Sequence, residues 1–272
     1  MPRDAASTSP DAIGWWFAVF AAILYGVYAA LLLGLVAAAA WLVAGVTSNR
    51  AWARKIVRAA ARVYLRLAGI GVSVRGIEYL PPWPVVLVAN LASRLDALVL
   101  AAALPARYCF VATREFQQHV VAGVLLARIG VQFVEHAGDV HTPDDAERLV
   151  RLAANGTSLV FFPEGTPIRT AGLREFDSGA FIVATRADVP VVPVAIKGTR
   201  AILRAGQWLP RRGGNIVVTV NPPVFAATSC DPAAAAAKVR DSVRGVILRH
   251  CGEADLPQAL AEADALAARG SV

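Results

Sequence analysis

The stretch Val86–Leu100, VLVANLASRLDALVL, decides how this chain is read. It opens on an uninterrupted apolar run rich in valine, the signature of a strand buried on both faces. It closes on LDALVL, which continues into Ala101–Ala103 and suits a helix. A strand that turns into a helix within a few residues is the repeating unit of an α/β fold, where ligand sites collect at the carboxyl ends of strands. Asn90, Ser93, Arg94 and Asp96 therefore stand on an edge suited to chemistry, with the inert Leu91 at its centre.

The same alternation runs onward from the Pro-rich boundary YLPPWP, Tyr79–Pro84. Strands are expected at Val85–Ala89, Tyr108–Ala112, Val131–Glu135, Ser158–Phe162, Val191–Ile196 and Ile216–Val220. Helices are expected at Leu95–Ala103, Phe116–Ile129, Pro143–Asn155 and Ala180–Ala187, with a last one from Asp231-Pro232 to about Cys251. Thr142 before Pro143 and Gly156 after Asn155 punctuate the third of these helices as N-cap and C-terminal stop. The fold class is thus α/β, a central, mostly buried sheet with flanking helices.

Ahead of that domain the composition changes. The chain has 272 residues, 56% of them hydrophobic, with a mean hydropathy of +0.51. Much of this excess lies between Ile13 and Val46, where no charged residue occurs. About 20 apolar residues cross a bilayer core, so the run is long enough for one tilted membrane helix, or just long enough for a re-entrant pair bent near Gly26 or Gly34. The apolar part of a signal peptide is far shorter, about 7–15 residues. The net charge of +7 concentrates immediately afterwards. Arg50, Arg54, Arg58, Arg62 and Arg66 recur every fourth position and form one stripe on a helix, suited to anionic headgroups. This juxtamembrane charge, with no nucleic-acid motif in the chain, makes membrane lipid rather than nucleic acid the expected partner. It also places the main domain on the cytoplasmic face if the apolar run crosses once. The resulting division is 1–49 tail and anchor, 50–80 basic interfacial helix and linker, 81–251 α/β domain, and 252–272 Ala- and acid-rich tail. Cys109, Cys230 and Cys251 lack metal-type spacing, as do the four histidines.

Three stretches combine a strand end with polar and turn-forming residues: NLASRLD (Asn90–Asp96), GVQFVEH (Gly130–His136) and FFPEGTPIRTAG (Phe161–Gly172). In this order, and followed by GAFIVATRADVPVVPVAIKGT (Gly179–Thr199), they resemble the lysophosphatidic acid acyltransferase family, the 1-acylglycerol-3-phosphate acyltransferases of phospholipid synthesis. The resemblance implies a glycerolipid acyltransferase-like fold attached to a bacterial-type inner membrane. It implies transfer of an acyl group from acyl-CoA or acyl carrier protein to the free hydroxyl of a lysophospholipid, with no metal or other cofactor. A glycerol hydroxyl needs a base to attack a thioester. In the family that base is a histidine oriented by an aspartate, in a pattern N-H-x-x-x-x-D that places them here at Leu91 and Asp96. The resemblance puts the substrate phosphate at the end of the second motif and at the F-P-E-G-T-R turn, here His136, Glu164, Gly165 and Thr166; the sequence itself adds Asn90, Arg94 and Arg169 to the expected substrate-binding set, with Lys197 and Arg200 as further cations.

The chain departs from the family pattern at three places. Leu91 replaces the histidine, His136 replaces the arginine of the second motif, and Pro167 replaces the arginine after Phe-Pro-Glu-Gly-Thr. The framework Asn90, Ser93, Asp96, Pro163, Glu164, Gly165, Thr166, Pro190 and Pro193 is retained. Leucine has no lone pair, an ordinary aspartate with a pKa of about 3.9 is a weak base for an alcohol, and Ser93 as nucleophile needs a base of its own. His136 is the remaining replacement base within the motifs. Turnover is therefore expected to be slow, or the protein to be a non-catalytic lysophospholipid- or acyl-carrier-binding relative.

Overall fold

The computed structural model describes residues 10–47, 49–117, 120–135, 143–226 and 231–261. His136 and Thr142 lie outside the described residues.

One uninterrupted helix, α1 (Pro10–Val46), covers the apolar run, with no break at Gly26 or Gly34. This removes the re-entrant pair. At 1.5 Å per residue α1 is about 55 Å long, and its stretch Trp15–Gly45 is long and apolar enough to cross a membrane. Gly26, Ala29, Ala40 and Ala44 are buried along one side. The helix packs against α2 (Arg50–Leu67), to which Tyr25 and Tyr28 donate through their hydroxyls at Ala68 O and Leu67 O, 2.7 and 3.1 Å, while at Gly26 it meets Leu209. The other sides of α1 expose Trp15, Trp16, Phe17, Phe20, Leu31 and Leu35.

In α2 the basic stripe is divided. Asn49 caps the helix, its side chain accepting from Ala51 N. Arg54 Nε donates to Ala106 O at 2.8 Å and its Nη1 to Ile129 O at 3.3 Å, while Arg62 Nε donates to Ala102 O at 2.9 Å. These carbonyls lie at or just past the C-terminal ends of two helices, where backbone acceptors are left over and the dipole favours a cation. Arg54 and Arg62 are thus structural ties, and the stripe is not a free lipid-facing row.

The sheet begins earlier than the sequence suggests, at β1 (Gly71–Arg75), within the stretch read as linker. It continues through β2 (Val86–Ala89), β3 (Cys109–Thr113), β4 (Gln132–Val134), β5 (Leu159–Phe161), β6 (Val191–Lys197) and β7 (Asn215–Val220), in the order β1-β7-β6-β2-β5-β3-β4. Strands β6, β2, β5, β3 and β4 are parallel; β7 pairs antiparallel with β6 and parallel with β1. The carboxyl ends of β2, β5 and β6 therefore meet at one edge.

Helices α3 (Leu95–Ala103), α4 (Arg114–Gln117), α5 (Val120–Arg128), α6 (Pro143–Ala154), α7 (Gly179–Arg186), α8 (Thr199–Ile202) and α9 (Pro232–Cys251), with a 3-10 turn at Ile77–Tyr79, complete the described elements. The run expected as one helix over Phe116–Ile129 corresponds to α4 and α5. Period-2 alternation in β2 divides the core: Val85, Leu87 and Ala89 face α2 and α3, while Val86 and Val88 face α6, α7 and α9. Leu91 extends the odd-numbered series and joins the first of these cores.

Candidate active site

The end of β2 is fixed by a side chain acting as backbone. Asn90 Nδ2 donates to Ile196 O at 2.9 Å and Asn90 Oδ1 accepts from Ile196 N at 2.7 Å, which extends the β2–β6 ladder by one amide. The next residue, Leu91, donates its N–H to Glu164 Oε1 at 2.6 Å. Glu164 comes from the turn after β5, where Gly165 adopts φ +76. Its other oxygen accepts from Arg174 N at 3.1 Å, and its carbonyl accepts from Arg174 Nη1 at 2.7 Å. Glu164 is thus a buried pillar between the two motif loops, with both carboxylate oxygens engaged. Burial pushes its carboxyl above the usual range despite these donors.

Asp96 lies in the first turn of α3 and is 0% exposed. Its Oδ2 accepts from Ser93 N at 2.7 Å, closing the loop, while its Oδ1 is buried without a hydrogen-bond partner. The Thr199 hydroxyl, also buried and without a hydrogen-bond partner, is near enough to favour the charged carboxylate. Desolvation outweighs that and raises Asp96 from 3.8 to about 7. Ser93, expected as an alternative nucleophile, is fully buried; its hydroxyl donates to Leu203 O at 2.7 Å and accepts from Leu95 N at 3.2 Å. It is a structural fastener. Leu91 itself is 9% exposed.

The expected cations fare differently. Arg94 is exposed and stacks over the Trp208 ring, its Cζ 4.8 Å from the centroid. Arg169 is exposed beside Gly206, and Thr166 is exposed on the rim of the turn. Arg200 is committed elsewhere: it pairs with Glu253 at 2.8 Å and donates to Ile168 O and Thr170 O, supporting the Pro-Glu-Gly-Thr loop from below. Lys197 lies against Gly252. His136 lies outside the described residues.

Sequence reasoning missed Thr199, Leu203, Trp208 and Arg174. All but Arg174 belong to the segment after β6, which reaches the first motif from about a hundred residues away. The repeated basic and turn residues of Arg204–Asn215 are the signal available for it.

The Acyltransferase family model matches residues 71–197, from the start of β1 to the end of β6. Over that span the chain is similar to the acyltransferases. Among curated relatives it is 31% identical to 1-acyl-sn-glycerol-3-phosphate acyltransferase BAT2, chloroplastic, of Brassica napus, over 59% of this chain and 48% of the relative. It is 34% identical to 1-acyl-sn-glycerol-3-phosphate acyltransferase alpha of Homo sapiens, over 65% of this chain and 64% of the relative. The chain spans about half the length of the plant relatives it matches. The crystal structure of the 1-acyl-sn-glycerophosphate acyltransferase PlsC from Thermotoga maritima superposes with a TM-score of 0.68 over 84% of this chain and 95% of that one, at 19% identity, and shares the fold.

The group at the centre of the first motif is a hydrocarbon, the Asp96 carboxyl has no exposed surface, and the Ser93 hydroxyl already has its partners.

Proposed function

We propose that this chain is a membrane-attached acyltransferase-family protein of phospholipid biosynthesis. It engages lysophosphatidic acid or a related lysophospholipid together with an acyl thioester, and it transfers the acyl group slowly. The names of the curated relatives support the substrate class, and the apolar α1 supports the attachment. We assign the phosphate to the exposed rim of Arg94, Thr166 and Arg169, joined by His136, and the main domain to the cytoplasmic face of a bacterial-type inner membrane.

The observation that carries the slow step is a buried leucine at position 91, where the family pattern has its histidine, five residues before a fully buried Asp96. A carboxylate with a pKa of about 7 is a better proton acceptor than an ordinary aspartate. It has no contact with solvent, however, so a substrate hydroxyl has no direct access to it. An imidazole at position 91 would restore a base, with Asp96 to orient the ring.

The test is acyl transfer to lysophosphatidic acid from acyl-CoA and from acyl carrier protein, with diacyl product measured by mass spectrometry. Leu91→His is expected to exceed the natural protein by about 10²–10⁴-fold, the usual contribution of a general base. Equal rates would sink the assignment and make His136→Ala the next variant. The sealed site also favours a second reading, a binding protein for lysophospholipid or acyl carrier. Under that reading the natural protein binds the lipid, forms no product, and keeps its affinity after Asp96→Ala.

A further inference from the structure

The segment after β6 touches three parts of the molecule at once. Leu203 O accepts from Ser93 Oγ, Trp208 lies under the Arg94 guanidinium, and Gly206 lies against Arg169. On its other side it packs on α1. A Cβ added at Gly26 would stand 2.8 Å from Leu209 Cβ and 3.4 Å from Pro210 O, so helix and loop are in direct contact there.

What this segment displays is unusual for a loop facing water. Trp208 is 79% exposed, more than any other large apolar side chain among the described residues, and Leu209 is 40% exposed. Arg204, Arg211 and Arg212 flank them and are exposed. The tip is nevertheless held in shape: Gln207 N donates to Arg204 O at 3.0 Å and Arg211 N donates to Ile202 O at 2.7 Å. Near the Gly26 contact, α1 exposes Ile23 and Val27. An exposed indole between guanidiniums, on a loop in contact with a lipid-compatible helix, matches an interfacial layer, where rings sit at headgroup level and arginines meet phosphate.

We propose that residues 204–212 form a second membrane anchor, in which Trp208 and Leu209 enter an anionic bilayer surface and Arg204, Arg211 and Arg212 meet its phosphates. Docking then bears on the first motif through Arg94–Trp208 and Ser93–Leu203, and holds that loop at the lipid surface. The assignment rests on exposure, charge and contact with α1, and stands whether or not acyl transfer occurs.

The full chain is reconstituted in vesicles of phosphatidylglycerol and phosphatidylcholine, with or without brominated acyl chains, and tryptophan emission is compared between the natural protein and Trp208→Phe. The difference signal belongs to residue 208. Trp83, before β2 at the opposite edge of the sheet, gives the aqueous reference through Trp83→Phe. Brominated lipid is expected to reduce the Trp208 signal at least about twofold, while aqueous acrylamide acts mainly on Trp83. Replacing Arg204, Arg211 and Arg212 together by alanine is expected to weaken the lipid quenching in anionic vesicles, toward the level seen in pure phosphatidylcholine. A Trp208 signal quenched by acrylamide and untouched by brominated chains overturns the proposal. Equal lipid quenching in both vesicle types, unchanged by the triple substitution, overturns the assignment of phosphates to the guanidiniums and the anchor with it.

Discussion

Replacing Asp96 by asparagine isolates the cost of keeping an ionisable group buried in the first motif. Asparagine retains the shape and an oxygen that accepts from Ser93 N, and it does not ionise. In the native protein burial raises the Asp96 pKa from 3.8 to about 7. Between those values the folded state holds a proton that the unfolded chain has released, so stability falls as pH rises through this window. The full interval corresponds to about 4 kcal/mol. The stability of Asp96→Asn relative to the natural protein is therefore expected to grow by about 4 kcal/mol from pH 4 to pH 8 and then level off. Glu164, also raised by burial, contributes its own slope to both proteins and largely cancels. Denaturant unfolding of both full chains in the same mild detergent, at constant ionic strength across this range, reads the difference. Parallel pH profiles would refute the reasoning, because they would mean that Asp96 is hydrated in solution and titrates as an ordinary carboxyl.

Asn90→Ala removes both side-chain bonds to Ile196 and leaves a buried N–H and C=O without partners. A loss of about 2–4 kcal/mol is expected in the same unfolding assay, whereas a change under about 0.5 kcal/mol would show that water or local repacking replaces the amide. Arg54→Ala and Arg62→Ala are expected to cost about 1–3 kcal/mol each, since each leaves backbone carbonyls unsatisfied. Flotation with anionic vesicles measured beside them should change little; weaker flotation at unchanged stability would return these two side chains to the lipid.

Most strands and helices from Val86 onward were legible because their apolar periods are long and their punctuation is conventional. Pro143 and Gly156 bound α6, and Asp231-Pro232 and Gly252 bound α9. Strand β1 was not legible: its five residues are mostly exposed at the sheet edge, and they carry no apolar alternation strong enough to mark a strand. In the site, Asn90, Asp96 and Glu164 stood out from their neighbours as polar residues at strand ends. Their environments did not, since burial converts an aspartate with an ordinary pKa into one near neutrality without any trace in the local sequence. The role of Ser93 was hidden for a related reason. Its partner, Leu203 O, is a backbone atom, and backbone partners leave no signature in side-chain identity.

Asn90 and Glu164 secure the main chain on either side of position 91, one through the Asn90 amide and the other through the Leu91 N–H. The side chain at 91 holds none of those bonds. The loop thus presents whatever residue the gene supplies at a preset point, much as a chuck holds interchangeable bits. A reactive group there can be lost or regained by one substitution without remodelling the surrounding loop. For this architecture, turnover and ligand capture are neighbouring options in sequence space.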